Sequence, residues 1–503
     1  MALTRRSLLR LAGGAALALP LAACDSSTGT ALTSGVGLPA RFAVPLPIPP
    51  VLRPTRTEGG VDHYEIVQKK AQAEILPGVR TEIWGYNGIF PGPTLSTRSN
   101  RQIVVHQRND LDVPVVVHLH GGKTPPESDG YPTDMIMPAD GWLGAAHPSG
   151  DMTAGSRDYT YPLAQPAATL WYHDHRMDFT GPQVWRGLAG FHLIHDDAED
   201  SLPLPGGDRD IPLMICDRAF NADGSLRYPS VDPTLRDHPG VTEDYMEGVL
   251  GDVILVNGAP WPTLEVSNTR YRFRLLNASN ARRFQLALDP APRSGRAFVQ
   301  IGSDAGLLGA PVGHDEITFA QGERFDVIVD FSTYPIGTRV TLLNKLAGGA
   351  AGQVMQFHVV RPAIDDSSVP GRLVPFETLS RHTAVRTRRF NFDQRDDGWD
   401  INGKPFDAGR VDARPRLGDV EIWRFDGDAH HPIHMHLAHF QVLSRNGHGP
   451  GAFDAGWKDT VDLESGHEME VIARFTGYRG KYILHCHNLE HEDMGMMANF
   501  QVV

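Results

Sequence analysis

The sequence predicts an all-β protein of three consecutive β-sandwich domains, and three observations carry that prediction. Short runs of Val, Leu, Ile and Tyr are separated by Gly, Pro, Asn and Asp, the punctuation of strands joined by turns, and 52 glycines and 38 prolines supply it. Long amphipathic patterns with helical periodicity are scarce. At 503 residues the chain exceeds one hydrophobic core, and domains of about 100 to 200 residues imply about three.

A repeated unit sets the boundaries. The stretches "FPGPTLSTRSNRQIVVHQRND" (90–110), "NGAPWPTLEVSNTRYRFRLLNAS" (257–279) and "NGKPFDAGRVDARPRLGDVEIWRFDGDA" (402–429) each run from a Gly/Pro turn through alternating strand residues to a polar break. After each break comes another strand: "VPVVVHLHGG", "ARRFQLALD" and "HHPIHMHLAHF". A period of roughly 150 residues is a whole domain and not a solenoid unit. The domains are therefore expected at 45–200, 205–362 and 375–503, joined by "DDAEDSLPLPGGD" and "RPAIDDSSVPGRLVP". The first and third carry His-x-His where the second has Gln285 and Ala287, so the outer domains are expected to build the chemistry and the middle one to space or bury it.

Ahead of the first domain, residues 1–24 read as an export signal. Arg5 and Arg6 form a twin arginine, and the apolar stretch Leu8–Ala23 is shorter than the roughly 20 residues needed to span a bilayer. Leu21-Ala22-Ala23-Cys24 resembles a lipobox, which implies lipidation of Cys24, with simple cleavage and release as the alternative. Residues 25–44, rich in Pro, Ser and Thr, are expected to form a tether or extended arm to a cell-envelope or extracellular protein. The net charge of -13 argues against binding nucleic acid. The three cysteines are Cys24, Cys216 and Cys486. Cys216, in the apolar run "IPLMICDRAF", reads as a small buried hydrophobe.

The chemistry lies in four histidine-rich segments: His118 and His120 in "HLHGG", His173 and His175 in "WYHDH", His431, His434 and His436 in "HPIHMH", and His485, Cys486, His487 and His491 in the closing "HCHNLEHEDMGMM". A single His-x-His merely puts two imidazoles on one strand face. Four together are another matter, because so many buried rings would otherwise each need a hydrogen-bond partner. On an extended strand, side chains at even offsets share a face roughly 6.6 Å apart. His434 and His436 then point together while His431 points away, and Cys486 projects opposite to His485 and His487.

Two sites follow. One collects His431, Cys486 and His491, the donor set of a blue copper centre, two imidazoles and a thiolate with a weak axial thioether. Zinc would accept the same donors but cannot change oxidation state. It would leave unexplained why the cysteine is flanked by ligands of a second site. That second site collects His118, His120, His173, His175, His434, His436, His485 and His487, enough for three coppers with positions open to dioxygen. The covalent path from Cys486 to His485 and His487 is a short route for electrons between the two.

These four segments resemble those of the multicopper oxidase family, and "HLHGGKTPPESDG", "LWYHDH" and the closing motif look most like its bacterial spore-coat laccases and bilirubin oxidases. The resemblance covers nearly the whole mature chain. It implies three cupredoxin-like Greek-key domains and four coppers per chain. The type 1 copper would take His431, Cys486, His491 and axial Met496, which lies ten residues past the cysteine. Type 2 would take His118 and His434, and the type 3 pair His120, His173, His175, His436, His485 and His487. Asp129 and Glu492 match acids with which the family delivers protons to reduced oxygen; as plain sequence, each would be a solvated loop acid. Trp171, His430, His439, His448 and His467 read as packing or surface residues, and Met494 and Met497 as packing.

The implied activity is four one-electron oxidations of a small reducing substrate, phenols or aromatic amines, through an exposed edge of His431 or His491, coupled to reduction of dioxygen to two waters by a monomer. One rival is a metallo-oxidase acting on Cu(I), Mn(II) or Fe(II); the 13 methionines form no rich tract, "DMIMP" at 134–138 being the nearest. The other is a non-enzymatic copper-binding protein, which an intact ligand set disfavours.

Overall fold

The structure is a computed structural model describing residues 29–142, 144, 150–395 and 398–503. The expected export signal, residues 1–24 with Cys24, lies outside the described residues, as do residues 25–28 of the expected tether. The six larger β-sheets of the described chain form three pairs, arranged along the sequence as three units, with two two-stranded sheets besides.

In the first unit two five-stranded sheets enclose a core. Two strands of one sheet matter most, β1 (Val117–His120) and β2 (Ala168–Asp174), which pair antiparallel with His118 opposite His173 and His120 opposite Trp171. Val117, Leu119, Leu170 and Tyr172 fill the core of this unit. By strand alternation the imidazoles face outward, yet β2 is buried at every position because other units cover that face. A short helix, α1 (Thr180–Trp185), follows.

The middle unit joins a seven-stranded and a five-stranded sheet around a large core that includes Phe273, Phe325 and Val327 from the first and Leu286, Val340 and Phe357 from the second. Its strand β3 (Arg324–Asp330) begins at the boundary with both neighbours. Residues 30–46 are not a free tether. Thr30–Ala31 pairs in parallel with Val249–Leu250, Phe42 N donates to the Trp261 carbonyl, and Leu46 N to that of Thr263. Leu32 anchors this arm, buried beside Trp185, Val241 and Val249.

The third unit packs a five-stranded sheet against a four-stranded one made of β4 (His431–Met435), β5 (Thr460–Leu463), β6 (Gly480–Cys486) and β7 (Met497–Val502). Helix α2 (Leu489–Asp493) sits between β6 and β7, its first turn capped by the Asn488 side chain. Ile433, Met435, Leu484 and Cys486 enter the unit's own core, and the imidazoles again take the opposite face. The Asp493 carboxylate accepts from the Thr180 and Gly181 amides at the start of α1 (2.7 and 2.8 Å), tying the third unit to the first.

The arm generates a prediction. Leu32→Ala should destabilise the protein by about 2–3 kcal/mol, the cost of emptying a buried leucine site, read in a denaturant titration. An unchanged midpoint would mean the arm is undocked in solution.

Candidate metal centres

The outward faces of β1 and β2 meet those of β4 and β6, and the eight imidazoles close on one another there. The rings of His118 and His436 stack at 3.8 Å, those of His120 and His434 at 3.7 Å. Across the same seam, His118 Nε2 lies 3.4 Å from His434 Nε2, and His175 Nε2 3.4 Å from His485 Nε2. Within the third unit, His436 Nε2 lies 3.3 Å from His485 Nε2. His487 completes the group, its ring 5.0 Å from that of His120 and 5.3 Å from that of His173. All eight rings are buried.

The nitrogens are sorted in a way that calls for a cation. His118, His173, His434 and His485 each donate Nδ1–H to a backbone carbonyl, of Asp129, Asp174, Asp459 and Cys486, at 2.5 to 3.0 Å. His436 donates Nδ1–H to Asp129 Oδ2 at 2.6 Å. Their Nε2 lone pairs are thereby turned inward, several of them on one another. His120 is reversed: Nε2 faces Asp459 Oδ1 (3.0 Å) and Thr460 Oγ1 (2.9 Å), and Nδ1 has no hydrogen-bond partner among the described residues. His173 Nε2 and both nitrogens of His487 are likewise buried with no hydrogen-bond partner among the described residues. Burial first, then repulsion from a neighbouring ring, hold His118, His120, His173, His436, His485 and His487 well below the ordinary imidazole range. Neutral, inward-facing and unpaired lone pairs are metal ligands in waiting, and three-residue groupings such as His118–His434–His436 and His175–His436–His485 bring their donor atoms within 4.8 Å.

The second constellation occupies the other face of β4 and β6. Cys486 Sγ lies 3.5 Å from His431 Nδ1 and 3.6 Å from His491 Nδ1. The Nε2 atoms point outward, His431 toward Asp428 Oδ1 (3.5 Å) and His491 toward the Glu247 carbonyl (3.2 Å), which leaves the Nδ1 lone pairs to the site. Burial pushes the Cys486 thiol well up, so a thiolate here requires a bonded cation. Cross-strand register places Met497 opposite His485, on the imidazole face, and leaves Met496 on the face of Cys486; Met496 is buried in the same core as Cys486, and Cys486 N donates to its carbonyl (3.1 Å). The expected exposed ring edge is absent, because His431 and His491 both have 0% of their surface accessible. Trp399 stacks on His491 at 3.6 Å, and its indole N–H donates to the Met246 carbonyl at 3.0 Å.

Neither candidate acid is a solvated loop residue. Asp129 is buried between two imidazoles of the cluster, its carbonyl on His118 and its carboxyl on His436, and burial pushes its carboxyl well above the usual range. Glu492 is buried between the two halves of the cluster, with Oε1 3.3 Å from His175 Nδ1 and accepting from Thr180 Oγ1 (2.6 Å). Its Oε2 lies 3.1 Å from His485 Nδ1, whose proton is aimed at the Cys486 carbonyl. Burial raises the Glu492 carboxyl too, even against the pull of His175.

Among the residues read as packing or surface, Trp171 stacks on His173 at 4.1 Å and His439 is buried with Nε2 donating to the Gly121 carbonyl (2.9 Å), while His448 is exposed. Cys216 is buried and has no disulfide partner among the described residues, its thiol pushed up to about 11 by burial. Sequence reasoning missed Asp459, Arg324 and Trp399. Nothing about "GWKDTVDL", "GERFDV" or "DDGWD" marks them, since their importance arises from contacts between units.

Models of the multicopper oxidase family match residues 67–199 and 378–503. A laccase of Bacillus stratosphericus is 36% identical, over 92% of this chain and 99% of the relative, and a bilirubin oxidase of Albifimbria verrucaria is 35% identical, over 91% and 81%. The crystal structure of a laccase from Pediococcus acidilactici superposes with a TM-score of 0.80 at 32% identity, over 94% of this chain and 95% of that one, so the three sandwiches share its cupredoxin-like architecture. With relatives above one-third identity along nine-tenths of its length, the chain belongs to the multicopper oxidase family and is a copper-dependent oxidase.

Proposed function

We propose that this oxidase couples four one-electron oxidations of phenols or aromatic amines to the reduction of dioxygen to two waters, with four coppers per chain. One observation carries the reading. Cys486 enters a three-donor group on one face of β6 while its covalent neighbours His485 and His487 enter the eight-imidazole cluster on the other. His431, Cys486 and His491, with Met496 as a weak further donor, would hold a type 1 copper. His118 and His434, one ligand from each outer unit, suit type 2, and His120, His173, His175, His436, His485 and His487 suit the type 3 pair. Copper supplies the one-electron changes; the protein supplies the rest.

The residues divide that work. His431 and His491 are held by outward hydrogen bonds, so their inner nitrogens keep fixed positions. Asp129 and Glu492 hold protons at carboxyl oxygens within 3.5 Å of ligand imidazoles, where reduction of dioxygen consumes them. Trp399, itself buried, stacks on His491 and keeps water from that face of the ring. A cleft of about 430 Å³ lined by Met177, Met246, Phe406 and Met494 adjoins Trp399 through Met246 and α2 through Met494, and is sized for a small aromatic donor. Relatives named laccase and bilirubin oxidase favour an organic donor over a metal ion. The twin arginine and lipobox-like Cys24 support export, with anchoring through Cys24, and one chain carries every ligand, so a monomer suffices.

Dioxygen uptake with a phenol donor tests the reading. The copper-loaded protein should be blue and consume dioxygen, and Cys486→Ser should lose both; no uptake by fully loaded wild type would sink it. Met496→Leu should keep the colour and raise the reduction potential, since a weak axial donor is removed; an unshifted potential in a redox titration would take the axial role from Met496. Glu492→Gln should slow turnover about 100-fold with the blue absorption intact, and wild-type turnover would remove Glu492 from proton delivery.

A further inference from the structure

We propose that Arg324, supplied by the middle unit, is a positioning residue: through Asp459 it holds His120 with its proton on Nε2 and its Nδ1 turned into the copper cluster. The inference rests on the copper reading above.

His120 needs such a device. Five of the cluster imidazoles are oriented by an acceptor at Nδ1, and that default would leave Nε2 as the ligating atom. In His120 the acceptor is at Nε2, the Asp459 carboxylate at 3.0 Å, and the unpartnered nitrogen is Nδ1. Neutral imidazole has one proton, so whichever nitrogen faces a fixed acceptor keeps it and the other offers the lone pair. Thr460 Oγ1 also faces Nε2 but donates to Asp459 Oδ1 (2.8 Å), so it follows the carboxylate.

The carboxylate is fixed in turn by a guanidinium whose five N–H donors are all used. Arg324 Nη1 and Nη2 grip Asp459 Oδ1 and Oδ2 at 2.7 and 2.5 Å. The remaining donors go to the carbonyls of Gly322, Asp304 and Thr169, each at 2.9 Å. Thr169 belongs to the first unit, Gly322 and Asp304 to the middle one, and Asp459 to the third. One buried side chain thus locks three units to a single carboxylate. The backbone beside it is pressed against the cluster: at Gly322, φ +83°, a Cβ would stand 3.0 Å from His120 Cε1 and 3.1 Å from His487 Cδ2.

Arg324→Lys keeps the charge but replaces the planar fork by three donors on one nitrogen, which cannot satisfy both oxygens and three carbonyls. In a chelator competition against the copper-loaded protein, it should weaken copper in the cluster about 10- to 100-fold and alter the electron paramagnetic resonance of the cluster, while the blue absorption of the Cys486 group stays. A simple charge-balancing role predicts full rescue by lysine; wild-type affinity and an unaltered spectrum would overturn the proposal. Should Arg324→Lys fail to fold, Asp459→Ala decides. It removes the carboxylate that accepts at His120 Nε2 and should give the same loss, and normal loading would overturn the proposal. Wild type that binds no more than one copper would overturn the copper reading itself, and this inference with it; wild type that loads normally beside unaffected variants overturns this inference alone.

Discussion

A strand cannot point consecutive side chains to the same side, and residues 485–487 turn that constraint into the organising feature of the molecule. The cysteine at the centre of His-Cys-His must enter one environment while its neighbours enter another. Here the first is the third unit's own core and the second is the seam with the first unit. The other three His-x-His segments obey the same rule with different central residues. Leu119 and Met435 are core hydrophobes, and Asp174 turns back to accept from the Val116 and Arg176 amides. Only at Cys486 does the central residue bring a second centre within one residue of the first.

That arrangement makes docking between units part of the chemistry. A sandwich face lined with histidines cannot be left in an apolar seam without partners, so the second layer around the cluster is built of backbone carbonyls and carboxylates. Those carboxylates are costly to bury, and each is stabilised differently. Asp459 is held well below its usual range because Arg324 and His120 outweigh the effect of burial. Asp129 and Glu492 lack a cationic partner of that kind, so burial prevails and they retain protons more readily. One fold thereby sets a fixed anion on one side of the cluster and proton-holding acids on others.

The three-unit β architecture was legible because turn residues and strand runs recur in a domain-length repeat, and the grouping of the candidate ligands was legible because strand parity is a local rule. His431, Cys486 and His491 came together as parity and donor chemistry required. Two features were not legible. The expectation of an exposed imidazole edge failed because the cover comes from distant segments, Trp399 and the backbone at Met246 and Glu247, which no local pattern links to His491. The stretch at residues 30–46 was legible only as a tether or an extended arm; the choice between them depends on distant partners, Trp185, Val241 and Val249 around Leu32 and the middle unit's backbone for its hydrogen bonds. Arg324 belongs to the same class: an arginine that opens a strand is unremarkable until five acceptors from three units surround it.

The middle unit illustrates why a domain without ligands is retained in such a structure. Gln285 and Ala287 stand in it where the outer units have imidazoles, and a large apolar cluster fills the space between its sheets. It faces the cluster with backbone and one arginine in place of donor side chains. Close backbone approach at Gly322 excludes solvent from the His120 and His487 rings, and Arg324 orders the carboxylate behind one of them. Two outer units that met by their ligand faces alone would leave the flank beside His120 open, where water could compete for Nε2 and free the ring to turn. A rigid third body that closes that flank makes ring orientation a property of the assembled fold, fixed before any metal arrives.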